Sequence, residues 1–77
     1  MEPTALELAA RFVAALYFGT NGRPGVFLGI GACAGIRGAR DIDLAVHAAE
    51  RAGFIVVHVD EPLAMLTSKG REAARSR

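Results

Sequence analysis

Three side chains in this sequence are of types that bind transition metals: Cys33, His47 and His58. They are separated by 14 and 11 residues, and these intervals match none of the ligand spacings typical of zinc sites. Cys33 is the single cysteine of the sequence, so no intrachain disulfide is expected. We therefore predict neither a metal site nor another bound cofactor, and we interpret Cys33 as a small apolar residue of a reduced, intracellular protein.

The acidic side chains do not form a catalytic pair. Asp41 and Asp43 are two residues apart, which places them about 200° apart around a helix and on different faces. No nucleophile is paired with a general base at a recognisable spacing. We predict that the protein is not an enzyme.

The glycines over residues 29–35 are spaced in a way that could serve a nucleotide. Gly29-x-Gly31-x-x-x-Gly35 between a strand and a helix, followed by a second strand and Asp60, is close to a dinucleotide-binding unit. However, the last glycine interval is one residue too long, a helix precedes the first strand, and no third parallel strand follows Asp60. A dinucleotide-binding βαβ unit is therefore a remote alternative. The other interpretation is that these small residues allow close packing.

Length and composition predict a single small domain. The chain has 77 residues, of which 52% are hydrophobic and 22% are charged, and this length holds one core, over residues 1–77. The longest uncharged run, residues 24–36, is shorter than the about 20 residues that a membrane helix needs. Glu2 and Pro3 stand where a secretory signal carries Lys or Arg. We expect a cytoplasmic protein without a membrane partner, and the excess of Arg over Lys points to a bacterial source.

The charges are distributed unevenly along the chain. The formal net charge is +1, but it is made up of +2 over residues 1–40, −4 over residues 41–66 and +3 over residues 67–77. The sequence thus has an acidic middle and a basic C-terminal helix or tail over residues 69–77.

Local signals predict two well-defined helices. Thr4 followed by Glu7 has the form of a capping box, and the helix that it begins ends at Gly19. Asp41 opens another helix, which Gly53 closes.

The other elements are shorter. β-branched residues over 55–59 predict a strand, Pro62 marks a turn, and residues 63–66 predict a returning strand. A short helix follows from residue 67. Residues 26–36 are ambiguous, because residues 26–28 could begin a strand while the glycines that follow show no clear period.

Two motifs at the ends of the predicted hairpin resemble those of a known family. Residues 49–55, AERAGFI, precede the two strands, and residues 66–72, LTSKGRE, follow them. The chain resembles the winged helix-turn-helix domain of small bacterial transcriptional regulators, in which a segment like LEEAGLI ends the recognition helix and LT-x-KG-R follows the wing. The resemblance extends from the first helix through Glu72.

The family resemblance implies an α+β, mainly α fold: a winged helix-turn-helix with three helices, a β-hairpin wing and a short C-terminal helix. In this alignment residues 26–35 form the second helix. Gly53 is a left-handed exit that returns the following residue to the core. The core face of the third helix and its exit is formed by Ile42, Val46, Ala49 and Phe54.

The same resemblance implies duplex DNA as a partner and a role in transcription. The third helix would enter the major groove and Lys or Arg would neutralise phosphates. The acidic pair Asp60 and Glu61 departs from the family's usually basic wing tip, which opposes phosphate binding there. The candidate DNA-binding residues are Arg37, Arg40, Asp43, Leu44, His47 and Arg51.

We expect the DNA-binding protein to be a homodimer. The alternative function is a winged-helix module that binds protein and not DNA. It is favoured by the acidic charge of the predicted recognition helix and wing, and by apolar residues in excess of what one small core holds. The candidate interface residues are Phe12, Tyr17, Phe18, Cys33 and Leu44.

Overall fold

The computed structural model describes residues 4–23, 25–30, 38–58 and 60–75. These residues form a mainly helical α+β fold with three helices and one three-stranded antiparallel sheet. The elements are α1 (Ala5–Gly19), β1 (Leu28–Gly29), α2 (Ala39–Arg51), β2 (Ile55–Val57), β3 (Leu63–Leu66) and α3 (Ser68–Arg75).

Helix α1 has the bounds that its sequence predicts. Thr4 is the N-cap, and its side-chain oxygen accepts a hydrogen bond of 3.1 Å from the backbone N–H of Glu7. At the other end, the Thr20 hydroxyl donates to the carbonyl oxygen of Leu16 at 2.7 Å. Polar side chains therefore satisfy backbone groups at both ends of the helix. Its buried face carries Leu8, Ala9, Phe12, Val13 and Leu16.

The predicted hairpin is present, and a further strand extends its sheet. Strands β2 and β3 pair antiparallel with Val56 opposite Met65, and β1 pairs with the other edge of β3 with Leu28 opposite Ala64. The strand order is therefore β1-β3-β2. Alternation along β3 buries Ala64 and Leu66 against the helices.

The prediction of a helix over residues 26–35 is wrong for the part that the structure describes. Leu28 and Gly29 form a strand, and the N–H of Ile30 donates to the carbonyl oxygen of Pro62 at 2.8 Å. Glycine weakens a helix here, whereas the adjacent edge of β3 offers backbone partners. Residues 31–35 lie outside the described part of the chain.

The described strands do not have the arrangement of a dinucleotide-binding unit. Such a unit places its two strands side by side and parallel. Here β3 lies between β1 and β2 and is antiparallel to both. Asp60 lies in the turn between β2 and β3.

Helix α2 begins two residues earlier than the predicted start at Asp41. Its N-cap is Gly38, with a φ of +85° and no side-chain cap, and Asp41 lies in its first turn. Its amphipathic sequence buries Ala45 and Ala49 completely. These alanines let α2 pack closely on α1.

The end of α2 confirms the predicted left-handed exit. Gly53 has a φ of +81°, its N–H donates to the Glu50 carbonyl at 3.0 Å, and the Phe54 N–H donates to the Ala49 carbonyl at 3.0 Å. This pair of hydrogen bonds is a Schellman motif. It turns Phe54 back against the core, where it is half-buried.

A single core joins the helices to the inner face of the sheet. Ile42, expected on the core face of α2, is half-buried. The buried apolar residues are Leu8, Ala9, Phe12, Val13, Leu16, Ala45, Ala49, Ile55, Ala64 and Leu66.

Candidate nucleic-acid interface

One exposed face of α2 carries four of the predicted DNA-binding residues. Arg40, Asp43, Leu44 and His47 line a shallow, open concavity of about 560 Å³. Their positions i, i+3, i+4 and i+7 put them on one side of a helix. Arg51 is also exposed and follows His47 by four residues. We call the five residues Arg40, Asp43, Leu44, His47 and Arg51 the outer face of α2.

Packing of the opposite side explains why this face is turned outward. Ala45 and Ala49 have no exposed surface, because they lie against α1. Rotating α2 to bury Leu44 would expose these alanines and bring charged side chains toward the core. Leu44 therefore remains 43% exposed.

Charges of both signs lie on the outer face of α2. Within the described part of the chain, neither Arg40 nor Arg51 forms an ion pair. The two are eleven residues apart, which is about 16 Å along a helix. Asp43 lies between them and is exposed. The arrangement offers two cations at the ends of a helix face and a hydrogen-bond acceptor within it.

The tip of the hairpin is acidic in the structure as in the sequence. Asp60 and Glu61 are both exposed between β2 and β3. The Asp60 N–H donates to Nδ1 of His58 at 3.1 Å, and the His58 ring meets the ring of Phe27 edge-on with centroids 5.5 Å apart. His58 is half-buried.

The predicted interface residues separate into three groups. Phe12 is completely buried within this chain, so it belongs to the core and is removed from the interface candidates. Tyr17 is half-buried and Phe18 is 78% exposed, and their rings meet edge-on at 6.1 Å. Leu44 lies on the outer face of α2. Cys33, like the DNA-binding candidate Arg37, lies outside the described residues.

A second concavity was not anticipated from the sequence. Ala10 and Val13 of α1, Phe54, and Ala73 and Ala74 of α3 line an apolar space of about 160 Å³. No local motif predicts this concavity, because the residues that line it come from three separate parts of the chain. Its alanines are also indistinguishable in sequence from other helix-forming alanines.

Comparison of the chain with models of known protein families, with curated proteins and with solved structures found no match. Within residues 4–23, 25–30, 38–58 and 60–75, no three His, Cys, Asp or Glu side chains are grouped so that they could hold a metal ion. None of the helices formed by these residues combines the length and apolar character needed to cross a membrane.

Proposed function

We propose that this protein is a winged-helix DNA-binding module associated with transcription, and that the outer face of α2 enters the major groove. The observation that carries this proposal is the exposed concavity lined by Arg40, Asp43, Leu44 and His47. It lies on the helix immediately before the β-hairpin, and an α-helix fits the approximately 12 Å width of the groove.

The side chains of this face have chemistry suited to DNA. Arg40 and Arg51 are exposed at opposite ends of α2, where they reach phosphates. Between them, the Asp43 carboxylate can accept a hydrogen bond from the amino group of cytosine, and Leu44 can contact a thymine methyl group. His47 adds a polar group one turn further on.

The acidic hairpin sets the expected orientation and strength of binding. Phosphates repel Asp60 and Glu61, so the hairpin points away from the DNA backbone. The affinity for DNA then depends on α2 and on the small number of Arg side chains that reach phosphates. Pairing of two modules in a homodimer would double the number of phosphate contacts.

Fluorescence anisotropy with a random-sequence duplex tests the proposal. We expect binding at about 50 mM salt, with an affinity that falls steeply as salt rises. Arg40→Ala removes one phosphate contact and reduces the logarithmic salt slope by about 0.9. Arg11→Ala, which removes an equal charge from the exposed side of α1, is the matched control and leaves the slope unchanged. Absence of binding at about 50 mM salt contradicts the proposal.

A protein-binding module without DNA affinity is the second candidate function. It is favoured by the exposed apolar side chains Phe18 and Leu44, together with the acidic hairpin tip. If one of these side chains forms a homodimer contact, sedimentation at high micromolar concentration shows a dimer that Phe18→Ala or Leu44→Ala dissociates. A monomer under these conditions eliminates the homodimer.

A further inference from the structure

Strand β2 forms one edge of the sheet, and the outer side of this strand carries backbone groups that β3 does not bind. The His58 N–H, just after β2, donates to the Leu63 carbonyl at 2.8 Å. Backbone groups alternate in direction along an antiparallel strand, so those of Ile55 and Val57 face away from β3. Among the described residues, nothing pairs with them on that side. An open edge of this kind is a template for another extended strand.

A second copy of β2 is a strand that fits this edge. When two β2 strands run antiparallel with Val56 opposite Val56 of the second copy, Ile55 of each copy lies opposite Val57 of the other. Each of these facing pairs can exchange both of its backbone hydrogen bonds. The contact is isologous, so a single register satisfies the outward N–H and C=O groups of both copies.

The side chain at the centre of this register is suited to it. Val56 is 42% exposed, on the side of the strand opposite to buried Ile55. In a non-hydrogen-bonded antiparallel pair the facing α-carbons are only about 4.5 Å apart, so the two Val56 side chains would contact each other. Edge strands that avoid pairing commonly carry a charged side chain. Strand β2, with the sequence IVV, carries none.

The two ends of β2 carry opposite charges. Asp60 and Glu61 are exposed beyond its C-terminal end, and among the described residues neither forms an ion pair. Before its N-terminal end, Lys69 is exposed and lies beside Gly53, with its Nζ 5.7 Å from the centre of the Phe54 ring. Within one chain these charges are held apart by the length of the hairpin.

Antiparallel pairing of two copies brings these opposite charges together twice. Continuing the register past Val56 places the turn that contains Asp60 beside Lys69 of the second copy, and the two-fold axis repeats this contact at the other end. Arg51 is also exposed at this end and offsets the charge of its exposed neighbour Glu50. Charge complementarity thus favours a second copy of this chain over an unrelated strand.

We propose that two copies of this protein associate through their β2 edges, antiparallel about Val56, and form one continuous sheet. Each copy contributes the three residues Ile55–Val57 to the strand pairing, and an interface this small gives a reversible dimer. The pairing does not use the concavity lined by Arg40, Asp43, Leu44 and His47. The proposal therefore stands or falls independently of DNA binding.

Sedimentation equilibrium of the full chain, combined with amide hydrogen exchange, tests this interface. We expect a monomer–dimer equilibrium with a Kd on the order of 100 μM at about 50 mM salt. This Kd should rise about tenfold at about 500 mM salt, because salt screens the ion pairs. The amide protons of Ile55 and Val57 should become protected as the protein concentration rises, since their hydrogen bonds form only in the dimer. This measurement uses the unmodified protein.

A substitution at the two-fold axis and a matched control locate the contact. Val56→Lys brings two like charges together and should raise the Kd of the dimer by about tenfold or more. Val26→Lys makes the same change at a position that is also 42% exposed and lies beside the opposite edge of the sheet. This control should leave the Kd unchanged.

Charge exchange tests the pairing of Asp60 with Lys69. Asp60→Lys and Lys69→Glu each bring like charges together, and each should raise the Kd by about tenfold. The double variant restores opposite charges and should recover most of the affinity. Glu7→Lys, which makes the same charge reversal at an exposed position of α1, is the control and should have little effect.

Three outcomes would overturn the proposal. The first is a monomer at about 1 mM protein and low salt. The second is a dimer in which the amide protons of Ile55 and Val57 exchange at rates that do not depend on protein concentration. The third is a dimer that Val56→Lys leaves intact and that Phe18→Ala or Leu44→Ala dissociates, because the interface would then lie on a helix.

Discussion

The α-carbon of Gly70 in α3 lies directly against the backbone carbonyl of Phe54. A β-carbon built at Gly70 would overlap that carbonyl group and would also come within 3.1 Å of a methyl carbon of Leu66. Gly70 is the one buried residue among those of α3. The glycine of the LTSKGRE segment is thus required for the close approach of α3 to the turn after α2.

Gly70→Ala is expected to destabilise the fold strongly. The new methyl group meets backbone, which cannot rotate away, so α3 must shift at a cost of about 1–3 kcal/mol or more. Urea unfolding followed by circular dichroism measures this change. Ser68→Ala, at an exposed position of the same helix, is the control and should stay within about 0.5 kcal/mol. Equal stabilities of the two variants would contradict the close approach.

Gly53 is required for a different reason, namely its backbone conformation. At a φ of +81° an added β-carbon would come no nearer than 3.6 Å to the Lys69 side chain, so there is room for it. Gly53→Ala should therefore cost only the strain of a left-handed alanine, about 1–2 kcal/mol. Gly53→Asn should cost less, because asparagine tolerates this region. Chemical denaturation measures the free energy of unfolding of both variants. A lower stability of Gly53→Asn than of Gly53→Ala would contradict this explanation.

Thr67 links α3 to the end of α2 through its hydroxyl group. The hydroxyl donates to the Gly53 carbonyl at 2.6 Å and accepts from the Gly70 N–H at 3.0 Å. Thr67→Ala loses both hydrogen bonds and should reduce the free energy of unfolding by about 1–2 kcal/mol. Thr67→Ser keeps the hydroxyl and should retain most of the stability. A serine variant as unstable as the alanine variant would show that the methyl group is what matters.

Two phenylalanines of α1 should respond in opposite ways to truncation. Phe12 is fully buried, so Phe12→Ala should cost about 3–5 kcal/mol. Phe18 is 78% exposed, so Phe18→Ala should change stability by less than about 0.5 kcal/mol in the monomer. Thermal unfolding at low protein concentration compares the stabilities of the two variants. A large loss for Phe18→Ala would mean that Phe18 is covered in solution.

The charge of Asp43 should affect DNA affinity. If the outer face of α2 enters the groove, Asp43→Asn removes a charge repelled by nearby phosphates and raises the affinity for random duplex at low salt. Glu7→Gln makes the same charge change at an exposed position of α1 and should have little effect. Anisotropy titrations of both variants decide the point, since equal effects would indicate a response to net charge alone.

Local sequence signals predicted those features that depend on neighbouring residues. The capping side chain of Thr4, the left-handed exit at Gly53 and the hairpin around Pro62 each involve backbone groups only a few residues away. The exposed position of Arg40, Asp43, Leu44 and His47 followed from helical spacing and a family resemblance, and the four residues do line one concavity.

Features that depend on distant contacts were predicted less well. Residues 28–29 form a strand because the edge of β3 is available to them, a partner that lies about 35 positions further along the chain. Phe12 and Phe18 are the same residue type on one helix, yet one is buried and the other exposed. Both are interface candidates by residue type, although Phe18 is six residues from Phe12 and therefore lies about 120° away from it around the helix, off the buried face.

The sequence by itself determined where α1 and α2 end, the left-handed turn after α2 and the uneven distribution of charge, because each is set by the local chemistry of caps, glycines and ionisable groups. Only the tertiary structure decided that β1 joins the sheet, that Gly70 meets Phe54, and that alanines of α1 and α3 line a half-open concavity. These features arise where segments far apart in the chain compete for the same space. Their outcome depends on steric fit and backbone pairing, which no local pattern encodes.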